Sequence, residues 1–229
     1  YLMSQAAQES GFRTNARAGT SSATGLFQFI DSTWLQMVRD HGAKYGLAEY
    51  ANAIQGAPGT AARVADRATR QQILDLRYNA DVSSAMAAEY ANNNKQQLER
   101  SLGRSVGAAD LYMAHFLGAA GASRFLSALS TTPNTAAADL LPDAASANTN
   151  VFYDRSGRAL SVRQVYDRMA QRIESRAAEV RNATGTSNDQ RVFQLFSARN
   201  ASNSPVRYVS TSAPIIQQNV GNVGGNFFN

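Results

Sequence analysis

Apolar residues recur every three or four positions along most of the chain, which is the spacing of one face of an α-helix. Alanine is abundant and runs of β-branched residues are scarce, so the pattern favours helices over strands. We therefore predict a mainly α-helical protein. The segments predicted as helices are 2–10, 31–41, 66–79, 81–98, 108–129 with a glycine-flanked turn inside it, and 161–180.

Residue types that favour helix ends mark several of these boundaries. Gly11 follows the first helix, where glycine adopts the left-handed conformation at little cost. Three predicted helices begin at residues whose side chains can accept a hydrogen bond from the first turn. We predict these residues as N-caps: Asp31 with Ser32, Asp81, and Ser161. The glycine-flanked turn falls at Gly118 and the residues after it.

The polar pattern divides the chain into a folded part and an extension. Trp34 lies in an apolar helical run and is predicted to be core, whereas Glu89 is predicted to lie on a solvated helical face. From residue 182 onward Ser, Asn, Gly, Gln and Thr dominate, and the segment cannot bury a core of its own. We therefore predict a domain over residues 1–181 and a polar linker or partner-ordered extension over residues 182–229.

Composition narrows the possible partners. The net charge of +5 and pI near 9.7 favour an anionic partner such as cell-wall polymer, nucleic acid or a membrane surface, although the charge alone does not choose among them. The chain has no cysteine, which excludes disulfides and thiolate metal sites, and two histidines are too few for a histidine-rich metal cluster. No apolar run is long enough to span a bilayer. We expect neither a cofactor nor a metal.

Glu9 is the first candidate for chemistry. It is predicted to lie in the last turn of the first helix, against the negative end of the helix dipole, which would favour a raised pKa. A carboxylic acid that stays protonated near neutral pH is suited to general acid catalysis. The position alone favours a solvated surface carboxylate.

Three motifs give the chain a family resemblance. The motifs occur in this order along the chain: Glu9-Ser10, Gly25-Leu26-Phe27-Gln28, and Leu-Tyr-Met-Ala-His-Phe-Leu-Gly over residues 111–118. The chain resembles lysozyme-like lytic transglycosylases of the soluble-lytic-transglycosylase type, and is closest to the variant of some phage endolysins. The commoner family pattern has Met where this chain has Phe27, Tyr where it has His115 and Asn where it has Phe116. Because Phe116 lacks the polar group of that Asn, no role is transferred to Phe116.

The resemblance implies a lysozyme-like helical domain with a sugar-binding cleft. It implies cleavage of the β-1,4 bond between N-acetylmuramic acid and N-acetylglucosamine, with a 1,6-anhydro product. Glu9 would be the single catalytic acid. Gln28 matches the glutamine of the cleft, while Tyr112 and His115 lie three positions apart on one helical face. Tyr45 is a further candidate for substrate binding.

Alternatives remain open at this point. The domain could hydrolyse the same bond, as goose-type lysozymes do, or it could be a structural component of a virion or secretion machine that opens the wall locally. Its location would be periplasmic, extracellular or virion-associated. We expect peptidoglycan strands as the partner, other chains through residues 182–229, no membrane span, and no nucleic acid because the basic residues are spread out.

Overall fold

The computed structural model describes residues 1–19, 21–58 and 60–184. In this part of the chain the regular elements are helices, joined by loops with isolated β-bridges, so the predicted mainly α class is confirmed. Short 3-10 segments cover Gly42–Tyr45 and Leu76–Tyr78. The helices are α1 Leu2–Ser10, α2 Asp31–His41, α3 Ala48–Ala53, α4 Arg67–Asp75, α5 Ala80–Leu102, α6 Ala108–Thr131, α7 Ala137–Leu140, α8 Pro142–Ala147, α9 Thr149–Phe152 and α10 Val162–Thr184.

Several helix ends follow from local sequence as predicted. Gly11 ends α1 in the left-handed region, with φ 57° and ψ 39°. Ser161 caps α10, because its hydroxyl accepts from the backbone N–H of Gln164 at 3.2 Å and its own N–H donates to the Gln164 side chain at 2.9 Å. Gly118 interrupts α6 with φ 69° and ψ 160°, which confirms the predicted break.

Two predicted caps are wrong. Asp31 is the first residue of α2, and its carboxylate accepts hydrogen bonds from Arg70 at 2.9 Å and Arg77 at 2.8 Å instead of capping the helix. The long helix α5 begins earlier than predicted, because Asn79 accepts from the backbone N–H of Val82 at 3.0 Å and is the N-cap. In the first case a buried guanidinium competes for the carboxylate. In the second, an equally good capping residue precedes Asp81.

Two hydrophobic clusters form the core. The first joins α6, α9 and α10 through residues such as Phe125, Phe152 and Met169. The second joins α2, α4 and α5, and includes Trp34, which is fully buried as predicted. α6 packs against both α5 and α10, while α1 lies along α10 and also touches α5. Residues of α1 and its start therefore reach both clusters.

The predicted domain boundary at residue 181 falls within α10, the last helix that the structure describes. α10 continues to Thr184, three positions beyond the predicted boundary. The rest of the predicted extension, residues 185–229, lies outside the described residues. Among the helices that the structure describes, none combines the length and the apolar character needed to cross a bilayer.

Candidate functional site

The carboxylate of Glu9 is buried inside the protein. Glu9 occupies the last turn of α1, as predicted, and its side chain is 3% exposed. The next residue secures this helix end, because the hydroxyl of Ser10 donates to the carbonyl of Leu26 at 2.9 Å. The alternative of a solvated surface carboxylate is therefore wrong. Burial of an acid in the last turn of a helix requires polar partners, and α6 provides them.

Tyr112 and His115 of α6 both contact Glu9. His115 Nε2 lies 3.5 Å from Glu9 Oε1, and the His115 side chain is 9% exposed. The phenol of Tyr112 lies close to the Glu9 carboxylate, and the rings of Tyr112 and His115 stack with centroids 6.1 Å apart. Burial, followed by the charge of Glu9, raises the pKa of Tyr112 well above its usual value. Tyr112 therefore stays protonated and can donate to the carboxylate.

Gln5 and Tyr1 complete the contacts from the α1 side, and the sequence analysis missed both. The Nε2 of Gln5 lies 3.1 Å from His115 Nδ1, and Gln5 is buried. Burial and the charge of Glu9 raise the pKa of Tyr1. Tyr1, Gln5 and Glu9 are spaced four residues apart, so their side chains lie on one face. That spacing was the available signal.

Tyr90 of α5 closes the site from a third helix. Its ring meets His115 edge to face, with centroids 6.4 Å apart, and meets Phe29 in the same manner at 6.0 Å. Burial raises the pKa of Tyr90, although a hydrogen bond with Asn94 partly offsets the effect. No sequence signal connects Tyr90 with Glu9, because the contact depends on how α5 and α6 pack.

Gln28 lies in the loop that Ser10 holds against α1. It is buried, and its Nε2 donates to the backbone carbonyls of Gly25 at 2.8 Å and Ala16 at 3.2 Å. The amide nitrogen therefore fixes the loop, and its Oε1 is the atom with which the predicted sugar contact would be made. Arg77 also holds this loop, because its guanidinium donates to the carbonyl oxygens of Ser22 at 2.9 Å and Phe29 at 3.0 Å.

Two residues of this loop, one near each end, have a strained backbone conformation. Phe12 and Gln28 have positive φ, 63° and 49°, which is uncommon for residues other than glycine. Phe12 is also 46% exposed, and it is the exposed large hydrophobic residue of the described chain. Such strain costs about 1 to 3 kcal/mol and persists where the surroundings enforce it, often at functional sites.

Tyr45 does not join the group around Glu9. Its hydroxyl donates to Glu89 Oε1 at 2.9 Å, and Lys44 donates to the same oxygen at 3.1 Å. His41 Nδ1 lies 3.3 Å from Glu89 Oε2. The side chain of Glu89 is 12% exposed, so the prediction of a solvated residue is wrong. The reason is that the end of α2 and the 3-10 segment after it cover this face of α5.

The charge on Glu89 is stabilised in this position. Burial alone would raise the pKa of Glu89, but hydrogen bonds from Tyr45 and Lys44 and the nearby His41 outweigh burial and hold the pKa below its usual value. Burial and the bond to Glu89 raise the pKa of Tyr45 to about 12. Glu89 is thus a second largely buried carboxylate, which stays ionised.

Within the described residues, no group of three or more His, Asp or Glu side chains is arranged to hold a metal ion. The polar group around Glu9 is instead one carboxylate with a phenol, an imidazole and an amide. Such a set can give and take a proton at one position. A scan of the sequence against models of known protein families finds no match.

Proposed function

We propose that this protein is a peptidoglycan lytic transglycosylase with a lysozyme-like domain and a single catalytic acid, Glu9. The observation that carries the proposal is that the Glu9 carboxylate is buried at a helix end and is contacted by Tyr112 and His115. These are the motif residues that suggested the family. The proposed action places the protein in the periplasm, outside the cell or in a virion.

In the first step, protonated Glu9 gives its proton to the oxygen of the glycosidic bond as that bond breaks. An oxocarbenium-like sugar forms, and the N-acetyl group of the substrate can stabilise it. Glu9 is then a carboxylate, and the phenol of Tyr112 donates to it. Since a donor placed at a developing charge lowers the barrier, Tyr112 assists this step.

In the second step, the Glu9 carboxylate takes the proton of the C6 hydroxyl on the same muramyl sugar. That oxygen attacks the anomeric carbon and closes a 1,6-anhydro ring, and Glu9 regains its proton. The substrate supplies the nucleophile, so one carboxylate suffices, whereas glycosidases that use water or a covalent intermediate need two. The grouping of a single carboxylate with a phenol, an imidazole and an amide around Glu9 supports this route.

The strained loop supports a sugar contact at Gln28. The amide nitrogen of Gln28 is hydrogen-bonded to the backbone and its φ is positive, so the Gln28 side chain is held in one orientation. Ser10 attaches the same loop to α1. Phe12 presents an exposed aromatic ring two residues after Ser10. We propose that Gln28 binds the substrate by its Oε1 and that Phe12 adds apolar contact with a sugar ring.

The first test is Glu9→Gln, which removes the proton donor with little change in volume. We expect loss of peptidoglycan cleavage by at least about 100-fold with the circular dichroism spectrum retained. Glu49→Gln is the matched control, because Glu49 is exposed on α3. Turnover by Glu9→Gln at near the wild-type rate would show that the proposed acid is wrong.

Hydrolysis of the same bond is a second candidate function. The observation that favours it is that Glu89 is a second largely buried carboxylate, whose pKa is held below its usual value. A second ionised carboxylate can activate water in an inverting hydrolase. Glu89 precedes Tyr90 in the sequence, and the Tyr90 ring contacts His115. If hydrolysis operates, Glu89→Gln abolishes cleavage. If transglycosylation operates, Glu89→Gln retains cleavage and the 1,6-anhydro product.

A further inference from the structure

We propose that Gln5 is a positioning residue that fixes the tautomer of His115, so that the ring presents an N–H to Glu9. This inference rests on the proposed function of Glu9 as the acid and assigns a role to a residue outside the family motifs. Gln5 is 3% exposed, and its Nε2 lies 3.1 Å from His115 Nδ1. The other ring nitrogen, Nε2, lies 3.5 Å from Glu9 Oε1.

The chemistry of the amide determines where the ring proton lies. An amide nitrogen donates hydrogen bonds and does not accept them, so with Gln5 Nε2 facing the ring we assign His115 Nδ1 as the acceptor. In a neutral imidazole the single proton is then on Nε2, the nitrogen that faces Glu9. The opposite tautomer would place a lone pair against the Glu9 oxygen and repel the carboxylate. Gln5 therefore favours the tautomer that is attractive to Glu9.

This tautomer has a consequence for the reaction. When His115 donates towards Oε1, the proton that Glu9 transfers is placed on its other oxygen, Oε2. The Nε2–Oε1 separation of 3.5 Å is longer than a good hydrogen bond, and such contacts in free enzymes commonly shorten when substrate binds. Gln5 thereby selects which oxygen of Glu9 carries the reactive proton, although Gln5 itself touches neither Glu9 nor substrate in this role.

His41 provides an internal reference for the measurement. Its Nε2 lies 2.9 Å from the amide nitrogen of Asn93, and its Nδ1 faces Glu89 at 3.3 Å. The same argument assigns the proton of a neutral His41 to Nδ1, the opposite of His115. Since the chain has two histidines, one sample reports both tautomers.

The experiment is ¹⁵N NMR of the full chain labelled at histidine, with His41→Gln used to assign the signals. We expect His115 to carry its proton on Nε2 and His41 on Nδ1. In Gln5→Glu the new carboxylate accepts a hydrogen bond, so we expect a proton on Nδ1 of His115. Gln8→Glu is the matched control on the same helix, because Gln8 Oε1 accepts from Arg176 at 3.2 Å and a carboxylate retains that bond. We expect Gln8→Glu to leave His115 unchanged.

Cleavage of purified sacculi is measured on the same variants. We expect Gln5→Glu to lower kcat by about 10-fold or more with KM within about two-fold, while Gln8→Glu keeps wild-type kinetics. If Gln5→Glu does not fold, Gln5→Met removes the donor without adding charge, and we expect a mixture of both tautomers. A wild-type His115 protonated on Nδ1, or a Gln5 variant that is as active as the Gln8 control, would overturn the proposal.

The two proposals fail in different ways. If the wild-type chain does not cleave peptidoglycan, the proposed function is wrong, and the NMR spectra still decide whether Gln5 sets the His115 tautomer. If cleavage is normal but the tautomer is reversed, Glu9 retains its role and Gln5 loses the one proposed here.

Discussion

Two features of its position disfavour a charged carboxylate at Glu9. It is at the carboxyl end, where the helix dipole disfavours negative charge, and it is removed from water. The protein offsets both with Tyr112 and His115 of α6, whose side chains lie against the carboxylate. In the proposed reaction Glu9 cycles between protonated and ionised forms, and a permanent cation beside it would hold it in the ionised form.

At the level of single residues, Tyr112 is the most direct test of this balance. Tyr112→Phe removes the hydroxyl that lies close to Glu9 and keeps the ring that stacks on His115. We expect the rate of peptidoglycan cleavage to fall by about 10- to 100-fold, because the carboxylate formed in the first step loses a donor. The measurement is kcat on purified sacculi.

Tyr166→Phe is the control for that substitution. Tyr166 of α10 donates to Asp110 of α6 at 3.0 Å, so the control also removes a phenol–carboxylate hydrogen bond without touching Glu9. We expect both variants to lose about 1 kcal/mol of stability, and only Tyr112→Phe to lose activity. Equal activities in the two variants would contradict the role given to Tyr112.

Some of these residues could be predicted and others could not, for physical reasons. Glu9 and Tyr112 lie in short motifs, and the i, i+4 relation of Gln5 to Glu9 is a property of any helix. Tyr90 and Glu89 depend on which helices pack together, and local sequence does not contain that information. Local sequence predicts a solvated Glu89 because it is the charged residue of its turn, whereas its partners come from the end of α2 and the 3-10 segment after it.

At the level of elements, the loop between α1 and α2 is held by close packing against Arg77. Gly25 has φ 82°, and a methyl group there would overlap the carbonyl oxygen of Arg77. We expect Gly25→Ala to lower the free energy of unfolding by about 3 kcal/mol, because neither backbone can yield without breaking the buried bonds of Arg77. The measurement is urea denaturation followed by circular dichroism.

Gly103→Ala separates strain from overlap. Gly103 also has a positive φ, 65°, but no atom lies within 4 Å of an added methyl group. We expect a loss of about 1 kcal/mol from backbone strain alone. If Gly25→Ala cost no more than Gly103→Ala, the loop would not be fixed by Arg77 as described.

The cluster around Glu89 joins α5 to the end of α2 and to the 3-10 segment, and it makes this connection sensitive to acid. Because the folded pKa of Glu89 is lowered from 4.5, its stabilising effect is complete above the unfolded pKa and is lost as pH falls through the folded pKa. We expect the free energy of unfolding of wild type to exceed that of Glu89→Gln by about 1 kcal/mol at pH 7. The difference is expected to be smaller at pH 3.

Chemical denaturation of both proteins at the two pH values checks this prediction. Glu49→Gln, on the exposed surface of α3, is expected to differ from wild type by less than about 0.5 kcal/mol at either pH. A difference between wild type and Glu89→Gln that grew on acidification would have the wrong sign, and would mean that Tyr45, Lys44 and His41 do not stabilise the ionised form.

At the level of the whole molecule, the candidate site lies where two hydrophobic clusters meet. Tyr112 belongs to the cluster of α6 and α10, and Phe29 belongs to that of α2, α4 and α5, with Tyr90 packed against it. α1 lies between them and places Glu9 at the junction. The helical class and most helix positions follow from local periodicity, while this junction is a product of tertiary packing. Residues from distant parts of the chain therefore converge on one carboxylate.

The most direct test of the central claim is mass spectrometry of the muropeptides released from purified sacculi by the wild-type chain and by Glu9→Gln. We expect the wild type to release fragments ending in 1,6-anhydro-N-acetylmuramic acid, and Glu9→Gln to release none above background. Fragments with reducing ends would show that water is the nucleophile. Equal release by the two proteins would contradict the assignment of Glu9 as the acid.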